Sequence, residues 1–515
     1  MNPEYLTPAE AAKILKISRQ AVTERIKNGY LYAEKVGKRY IIPKDQVLLE
    51  EESKESKLSS SNVTASNKTK KKSINEIIYR VKKDNIKTIQ LWFVDILGTL
   101  KCVSIAQREL RDALENGKGF DGSSVTGFAE AEESDILALP DPNTFKILPW
   151  TIEKEPIARM FCDILNPDHS PYPGDSRHVL KRALSRAEKM GFTFYIGPEL
   201  EYFYFKSEKS PDIIDKGSYF ELIPNDFADL LRNKTVKALE QLDIPIETTH
   251  HEVAPSQHEI DPKYNKALIM ADAMITCRYV IKEIAQQNGV YATFMPKPLF
   301  GENGSGMHVH QSLFSAKSGK KARNAFFNKK DPHHLSKIAK GFIAGQLKHA
   351  REICSLTAQW VNSYKRLVTG YEAPVYASWA QKNRTSLLRV PSYRLGNETA
   401  TRVELRCPDP ACNPYLAFSV MLAAGIEGIE KKYKLPPPVE PNIYNMAMEE
   451  REKRGLTCLP ENLFEAILET ENSKFVKQTL GNHIFNRFLF NKRSEWEEYR
   501  TQITEHEIKK YLPLL

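Results

Sequence analysis

The sequence lacks any apolar run approaching the ~20 residues that a membrane-crossing helix requires, so no span is predicted. Polar residues follow Met1, with no apolar segment behind it, and no secretory leader is expected. The seven cysteines are scattered singly. An odd count without Cys-x-x-Cys excludes a disulfide framework and a thiolate zinc site, and it fits a reducing cytoplasm. Gly-x-x-x-x-Gly-Lys-Ser/Thr is also missing, so any nucleotide is held by something other than a P-loop. The overall charge imbalance is small, a net +9, and residues 1 to 72 carry +6 of it. An anionic partner is therefore expected for that piece alone.

What is present is a chain of 515 residues, 41% hydrophobic and 27% charged. That is the composition of a soluble globular protein and the length of about three domains. At its start, Thr7-Pro8-Ala9-Glu10 opens a helix: Thr7 caps, Pro8 takes the first helical position and Glu10 completes a capping box. Ser18 caps a second helix, which carries Arg19, Gln20, Thr23 and Lys27 and stops before Gly29. Residues 33 to 43 then read as a hairpin turning at Gly37-Lys38, beside Arg39. This pattern resembles the winged helix-turn-helix domains of excisionases. It implies DNA contact through Arg19, Gln20, Thr23, Lys27, Lys38 and Arg39, against the alternative of a small protein-binding module. Leu49 to Lys72 is Ser-, Lys- and Glu-rich and reads as a flexible linker.

Farther on, Ile89 to Asp95 and Leu100 to Ile105 read as two strands around a turn at Gly98. An Asp121-Gly-Ser-Ser124 turn follows. In Gly197-Pro-Glu199-Leu-Glu201-Tyr-Phe-Tyr-Phe205, period-two spacing puts Glu199, Glu201, Phe203 and Phe205 on one face of a strand. Two carboxylates beside buried phenylalanines call for a metal ion or an arginine. Acidic or histidine residues recur at Glu252 and Glu259, at His308 and His310, and at Glu404 beside Arg406, three of the pairs spaced i, i+2. Antiparallel strands lining one cavity would produce that pattern. An oxygen-rich set of five carboxylates and a histidine suits two Mg²⁺ or Mn²⁺ ions rather than zinc. Between them, Phe294 to Ser312 carries a glycine loop, Gly301 to Gly306, where backbone comes close to a ligand.

Taken in order, these phrases resemble the glutamine synthetases of the bacterial and archaeal ring-forming type, in the branch with Ser or Thr at position 399. The resemblance spans residues 73 to 515. It implies an α+β fold: a β-grasp domain over 73–172 and a large catalytic domain over 173–515, whose antiparallel strands line a two-metal site. With residues 1–48 as the helix-turn-helix and 49–72 as the linker, the chain is accounted for. By this resemblance Glu201, Glu252 and Glu259 hold one ion, and Glu199, His308 and Glu404 the other. Arg366, Asn303, Gly304 and Arg406 contact glutamate. Tyr264, His310, Ser312, Arg384, Arg389 and Arg402 contact ATP, Arg384 and Arg406 also stabilising the transferring phosphoryl group. Asp121, with Tyr219, handles ammonium in the adjacent subunit, and Glu372 closes the site as a base. The implied assembly is two stacked hexamers. Glu130 stands where that branch has a feedback arginine, and Tyr444 near an adenylylated tyrosine of the other branch. Two alternatives stay open: a ligase for an amine larger than ammonia, and a nitrogen-sensing regulator built on a synthetase-like body.

Overall fold

The computed structural model describes residues 5–14, 18–27, 33–36, 39–43, 64–127, 135–224, 226–315, 322–394 and 396–515. Two compact units divide between Tyr79 and Arg80. In the first, helices Pro8–Ile14 and Arg19–Lys27 accompany a three-stranded sheet, with Arg39–Pro43 between Tyr5–Leu6 and Glu34–Val36. Its small core is Ala11, Ala12, Val22 and Ile42. The expected caps form. Thr7 and Glu10 bond reciprocally, and the Ser18 hydroxyl accepts from the amide of Ala21. Arg19 and Gln20 are exposed, whereas the hydroxyl of Thr23 is turned back onto the Arg19 carbonyl. The expected turn at Gly37-Lys38 and position 130 lie outside the described residues, as do residues 49–63 of the expected linker.

From Thr64 that linker is not flexible chain: Thr64–Lys83 is one helix. No glycine or proline interrupts it, and Ile74, Ile77 and Val81 recur at helical spacing and are buried. Compositional polarity concealed this periodicity.

The second unit begins with a six-stranded sheet. Its order is Leu100–Ala106, Thr88–Val94, Ile157–Leu165, Asp135–Pro140, Lys118–Asp121, with Lys146–Ile147 added against Ile157–Leu165. Thr88–Val94 and Ile157–Leu165 run parallel, and the other pairs are antiparallel. Thereafter the chain builds two sheets around the main core. The seven-stranded one runs Asn265–Lys266, Phe192–Pro198, Val309–Ser315, Val403–Leu405, Ser386–Arg389, Tyr376–Ala380, with Arg323–Asn324 on Val309–Ser315. The four-stranded one runs Ile246–His251, Gln257–Pro262, Leu200–Phe205, Tyr291–Thr293.

Two features make this scaffold stiff. Buried Arg177 donates to both oxygens of Asp272 (3.1 and 3.0 Å), to Asp163 (2.6 Å) and to Asp141 (2.8 Å). It thereby ties the six-stranded sheet to the long helix Ala267–Gln287. Removing one partner of such a buried set strands the other charges, which costs about 3–5 kcal/mol. Helices Lys337–Lys348 and Pro414–Glu430 meet through glycines. A Cβ on Gly345 would lie 2.0 Å from the Ala424 carbonyl oxygen, and one on Gly428 2.1 Å from that of Gly341. These backbones touch directly, so no side chain can yield. Gly345→Val is therefore expected to lower stability by at least the ~1–3 kcal/mol of core overpacking, read as a drop in melting temperature. An unchanged Tm would mean that the two helices separate freely.

Candidate active site

The sequence predicts one strand from Gly197 to Phe205. Instead the chain changes sheets at Glu199. Phe192–Pro198 belongs to the seven-stranded sheet and Leu200–Phe205 to the four-stranded one. Pro198 has no amide hydrogen to continue a ladder. Glu199 and Glu201 instead donate their amides to the carbonyls of His308 and Gly306. The switch lets both carboxylates face the seam between the sheets.

That seam holds a cavity of about 240 Å³. Around it stand all six expected metal ligands, Glu199, Glu201, Glu252, Glu259, His308 and Glu404. Asn303, Gly304, Arg366 and Arg406 line it as well, with Tyr219, Glu372, Arg384 and Arg389. The remaining expected residues lie elsewhere. His310 and Ser312 follow along Val309–Ser315, paired with Gly197 and Tyr195. Arg402 donates to Nδ1 of His310 (3.3 Å). Tyr264 is exposed, with its Cβ side against Gly197 and its ring edge-on to Tyr195. These four extend the site along one side of the seven-stranded sheet. Asp121 is in another place altogether. It ends the edge strand Lys118–Asp121, is exposed, and accepts hydrogen bonds from the Ser123 amide and hydroxyl (2.8 and 2.7 Å). Those bonds lower its pKa.

The acids divide by their partners. Glu199 receives His308 (2.9 Å) and His310 (2.7 Å). Burial opposes its ionisation, yet these hydrogen bonds hold it well below the usual range. Glu404 is fully buried between Arg406 and Arg389, the latter at 3.1 Å. Burial is again outweighed, here first by Arg406. Glu201 accepts only from the Gly306 amide and Gln257 (2.9 Å each). Burial and the charge of Glu252 push it up. Burial, with Asp261 and Glu201 nearby, does the same to Glu259. Burial raises Glu252 to about 7 and Asp261 to about 6.

Among the described residues three groups of donor atoms each fall within 4.8 Å among themselves, and two of them line the cavity: Glu199, His308 and Glu404, and His250, Glu252 and Glu259; the third is Asp215, His251 and His258. Desolvated carboxylates without enough positive charge are the donor set that a hard divalent cation satisfies, so the residues present fit two such ions. The first group is the expected trio. In the second, His250 stands where Glu201 was expected, 3.3 Å from Glu259, while Glu201 leans toward the glycine loop. Neither His250 nor Asp261 was singled out from sequence. The i, i+2 rule carried back from Glu252 and on from Glu259 reaches both, and the register pairs His250 with Glu259. Behind them, Arg232 donates to Nδ1 of His258 (2.7 Å), which puts that ring's proton on Nε2, toward Asp215 at 3.3 Å. Asp215 also bonds His251 (2.7 Å). This network links the hairpin bearing Glu252 and Glu259 to the helix carrying Arg232, although Asp215 Oδ2, Arg232 Nε and His258 Nε2 are buried without a hydrogen-bond partner.

Arg366 is buried and donates to the carbonyls of Cys407 (3.0 Å), Pro408 (3.2 Å) and Arg406 (3.1 Å). A Cβ on Gly306 would meet its guanidinium at 2.4 Å, so glycine is required for the loop to close over it. Glu372 has φ +56°, a left-handed conformation that costs on the order of 1 kcal/mol or more.

The raised carboxyls fix a pH dependence. Between an unfolded value of 4.5 and a folded value of about 7, as at Glu252, the native state holds more protons than the unfolded one. Stability of the metal-free protein therefore falls as pH rises through that window. Because bound ligands must be deprotonated, added Mg²⁺ is expected to raise the melting temperature more at pH 8 than at pH 5.5. Equal shifts at both pH values would mean that these acids do not bind it.

Residues 173–511 match the family described as glutamine synthetase, catalytic domain, and residues 85–167 its beta-grasp domain; residues 5–48 match a helix-turn-helix domain. Over 444 residues the chain is 50% identical to a glutamine synthetase of Mycolicibacterium smegmatis and 49% identical to one of Methanosarcina mazei. Each match covers 85% of this chain and 98% of the relative. A Thermotoga maritima glutamine synthetase is 45% identical over 438 residues, 84% of this chain and 98% of its own. Among solved structures, GmaS in complex with ADP superposes with a TM-score of 0.76 at 29% identity, over 85% of this chain and 99% of that one. A cryo-EM structure of Plasmodium falciparum glutamine synthetase shares the fold, with a TM-score of 0.75 at 24% identity over 85% and 98% of the two chains. With its beta-grasp and catalytic domains both matched and close to half its residues shared with bacterial and archaeal relatives, the chain belongs to the glutamine synthetase family.

Proposed function

We infer that the chain catalyses ATP-dependent ligation of ammonium to L-glutamate, giving L-glutamine through γ-glutamyl phosphate. The observation that carries this reading is the meeting of the two acidic clusters with Arg366, Arg384, Arg406 and Glu372 around one cavity. Glu199, His308 and Glu404, and Glu252 and Glu259 with Glu201 or His250, would hold two Mg²⁺ or Mn²⁺ ions, which would supply charge neutralisation for the phosphates. Arg366, Asn303 and Gly304 orient glutamate so that its γ-carboxylate attacks the terminal phosphorus of ATP, the bond from that phosphorus to the bridging oxygen breaks, and ADP leaves. Arg384 and Arg406 stabilise the charge on the transferring group. Tyr264, His310, Ser312, Arg389 and Arg402 seat the nucleotide. Asp121, with Tyr219, takes a proton from ammonium. Ammonia then attacks the γ-carbonyl, phosphate leaves, and Glu372 accepts a proton from the tetrahedral adduct.

Because Asp121 lies apart from the cavity of its own chain, it serves the site of a neighbouring copy, as in a ring of two stacked hexamers. The helix-turn-helix unit binds DNA through Arg19 and Gln20, both exposed on its second helix, together with Thr23 and Lys27 on the same helix, Arg39 at the start of a strand, and Lys38. The enzyme works in the cytoplasm, and no helix among the described residues is long and apolar enough to cross a membrane.

Purified protein given ATP, glutamate, Mg²⁺ and ammonium is expected to form glutamine, with methylamine a far poorer substitute. Glu372→Ala should lower that rate by roughly 10²–10⁴-fold, the range for loss of a general base, with ATP affinity nearly unchanged. Turnover only with methylamine or a larger amine would move the assignment to another γ-glutamyl ligase. No turnover from an intact oligomer would favour a regulator that senses nitrogen through a synthetase-like body.

A further inference from the structure

Lys297 lies between the two loops that frame the amino-acid end of the cavity. Both polar atoms of its peptide unit are clamped by Asn362: the Lys297 amide donates to Oδ1 (2.7 Å), and Nδ2 donates to the Lys297 carbonyl (3.0 Å). Its half-buried side chain is thereby aimed. The ammonium donates to the carbonyl of Glu302, the residue before Asn303 and Gly304. It also sits 3.7 Å from the ring centroid of Tyr371, the residue before Glu372. A cation over a tyrosine face at that distance contributes about 0.5–2 kcal/mol, more as water is excluded. Among the described residues no carboxylate forms an ion pair with Lys297. Its closest partners are one carbonyl and one ring, with the Glu302 carboxylate acting on it at longer range.

Each of those contacts borders a working residue. The preceding carbonyl, that of Pro296, accepts from the Ser305 amide (2.8 Å), and a Cβ on Gly304 would lie 2.3 Å from it. The root of the glycine loop is therefore packed against the segment that leads from strand Tyr291–Thr293 into Lys297. On the other side, the segment around Glu372 carries positive φ at Gly370 (+93°) and Glu372 (+56°). Such a backbone persists only where its neighbours hold it. Downstream, the hydroxyl of Tyr444 donates to the Ala373 carbonyl; upstream, the hold is the Lys297–Tyr371 contact.

We propose that Lys297 is a positioning residue that couples the glycine loop to the flap, its ammonium holding the Glu302 carbonyl and the Tyr371 ring together and so setting Glu372 over the bound amino acid. This rests on the ligase reading of Glu372. A loosened flap admits water. Water in place of ammonia attacks the γ-carbonyl carbon of γ-glutamyl phosphate, the bond from that carbon to the phosphate oxygen breaks, and glutamate and inorganic phosphate are released. Phosphate then exceeds glutamine.

The test compares wild type, Lys297→Met, Lys297→Arg and Tyr371→Leu in the full-length protein. In Lys297→Met, kcat is expected to fall by on the order of ten- to a hundredfold, as for a mispositioned catalytic group. The ratio of phosphate released to glutamine formed should rise above one, and hydrogen exchange across 370–373 should quicken. Lys297→Arg should restore most of all three. Adding Lys297→Met to Tyr371→Leu should cost little more than Tyr371→Leu alone, because the contact is shared. If Lys297→Met unfolds, Tyr371→Leu, which leaves the Asn362 clamp in place, is judged by the same readouts. A wild-type ratio in Lys297→Met, or unchanged exchange over 370–373, overturns the proposal. Absence of glutamine from the wild type would instead sink the ligase reading, and the exchange comparison would still decide the coupling.

Discussion

The cavity confines seven carboxylates, counting Glu372, in a space of about 240 Å³, and the rest of the catalytic domain answers to that repulsion. Removing a single carboxylate from water costs several kcal/mol, and neighbours of like sign add to it. The protein's own cations are spent unevenly. Glu199 has two histidines and Glu404 two arginines, so both are held ionised. Glu201, Glu252, Glu259 and Asp261 have amides, a hydroxyl, Gln257, two histidines and the nearby charge of Arg366 among them, yet all are pushed upward. One half of the site is thus neutralised in advance, and the other keeps a deficit of positive charge for something that arrives.

Holding such a cluster together needs a frame that cannot relax outward. The change of sheet at Glu199 brings acids from two sheets to one seam. Cross-strand register then stacks Glu201, Glu259 and His250 across three neighbouring strands. Below, Arg177 fastens the six-stranded sheet to helix Ala267–Gln287 through three aspartates. Glycine-to-backbone contact between Lys337–Lys348 and Pro414–Glu430 leaves no slack on the far side. Asp215, His251, His258 and Arg232 steady the hairpin bearing Glu252 and Glu259. The repulsion is balanced by packing and buried hydrogen bonds made well away from the chemistry.

Much of this was legible in the sequence, because period-two spacing of acids is a direct consequence of strand geometry. That rule singled out Glu199 with Glu201, His308 with His310 and Glu404 with Arg406, the family resemblance added Glu252 and Glu259 as ligands, and the capping residues Thr7 and Ser18 announced their helices. What escaped is what spacing does not encode. A single strand was expected through Glu199, since nothing but Pro198 signals a change of sheet. Lysine-rich composition around residue 70 hid the isoleucine and valine periodicity of Thr64–Lys83. His250 and Asp261 obey the same i, i+2 rule but sit beside acids that drew attention first. Lys297 carries no local signal at all, because its role depends on three segments that only the fold assembles.

In the proposed reaction Asp121 limits what one chain does alone. It is exposed on an edge strand, with its carboxylate turned to Ser123, while the cavity beneath Glu372 already holds the acids and arginines for phosphoryl transfer. In the proposed reaction the first step, formation of γ-glutamyl phosphate, therefore falls within one chain, and ammonium capture belongs to the contact between copies. An acyl phosphate that waited for its partner's residue would be exposed to water, so the flap over it has to be held shut independently of Asp121. The anchoring of Tyr371 by Lys297 and of Ala373 by Tyr444 is built entirely from the chain that makes the intermediate. Protection of the intermediate and delivery of ammonia are then, in the proposed reaction, separate physical problems, the first met inside the chain and the second between chains.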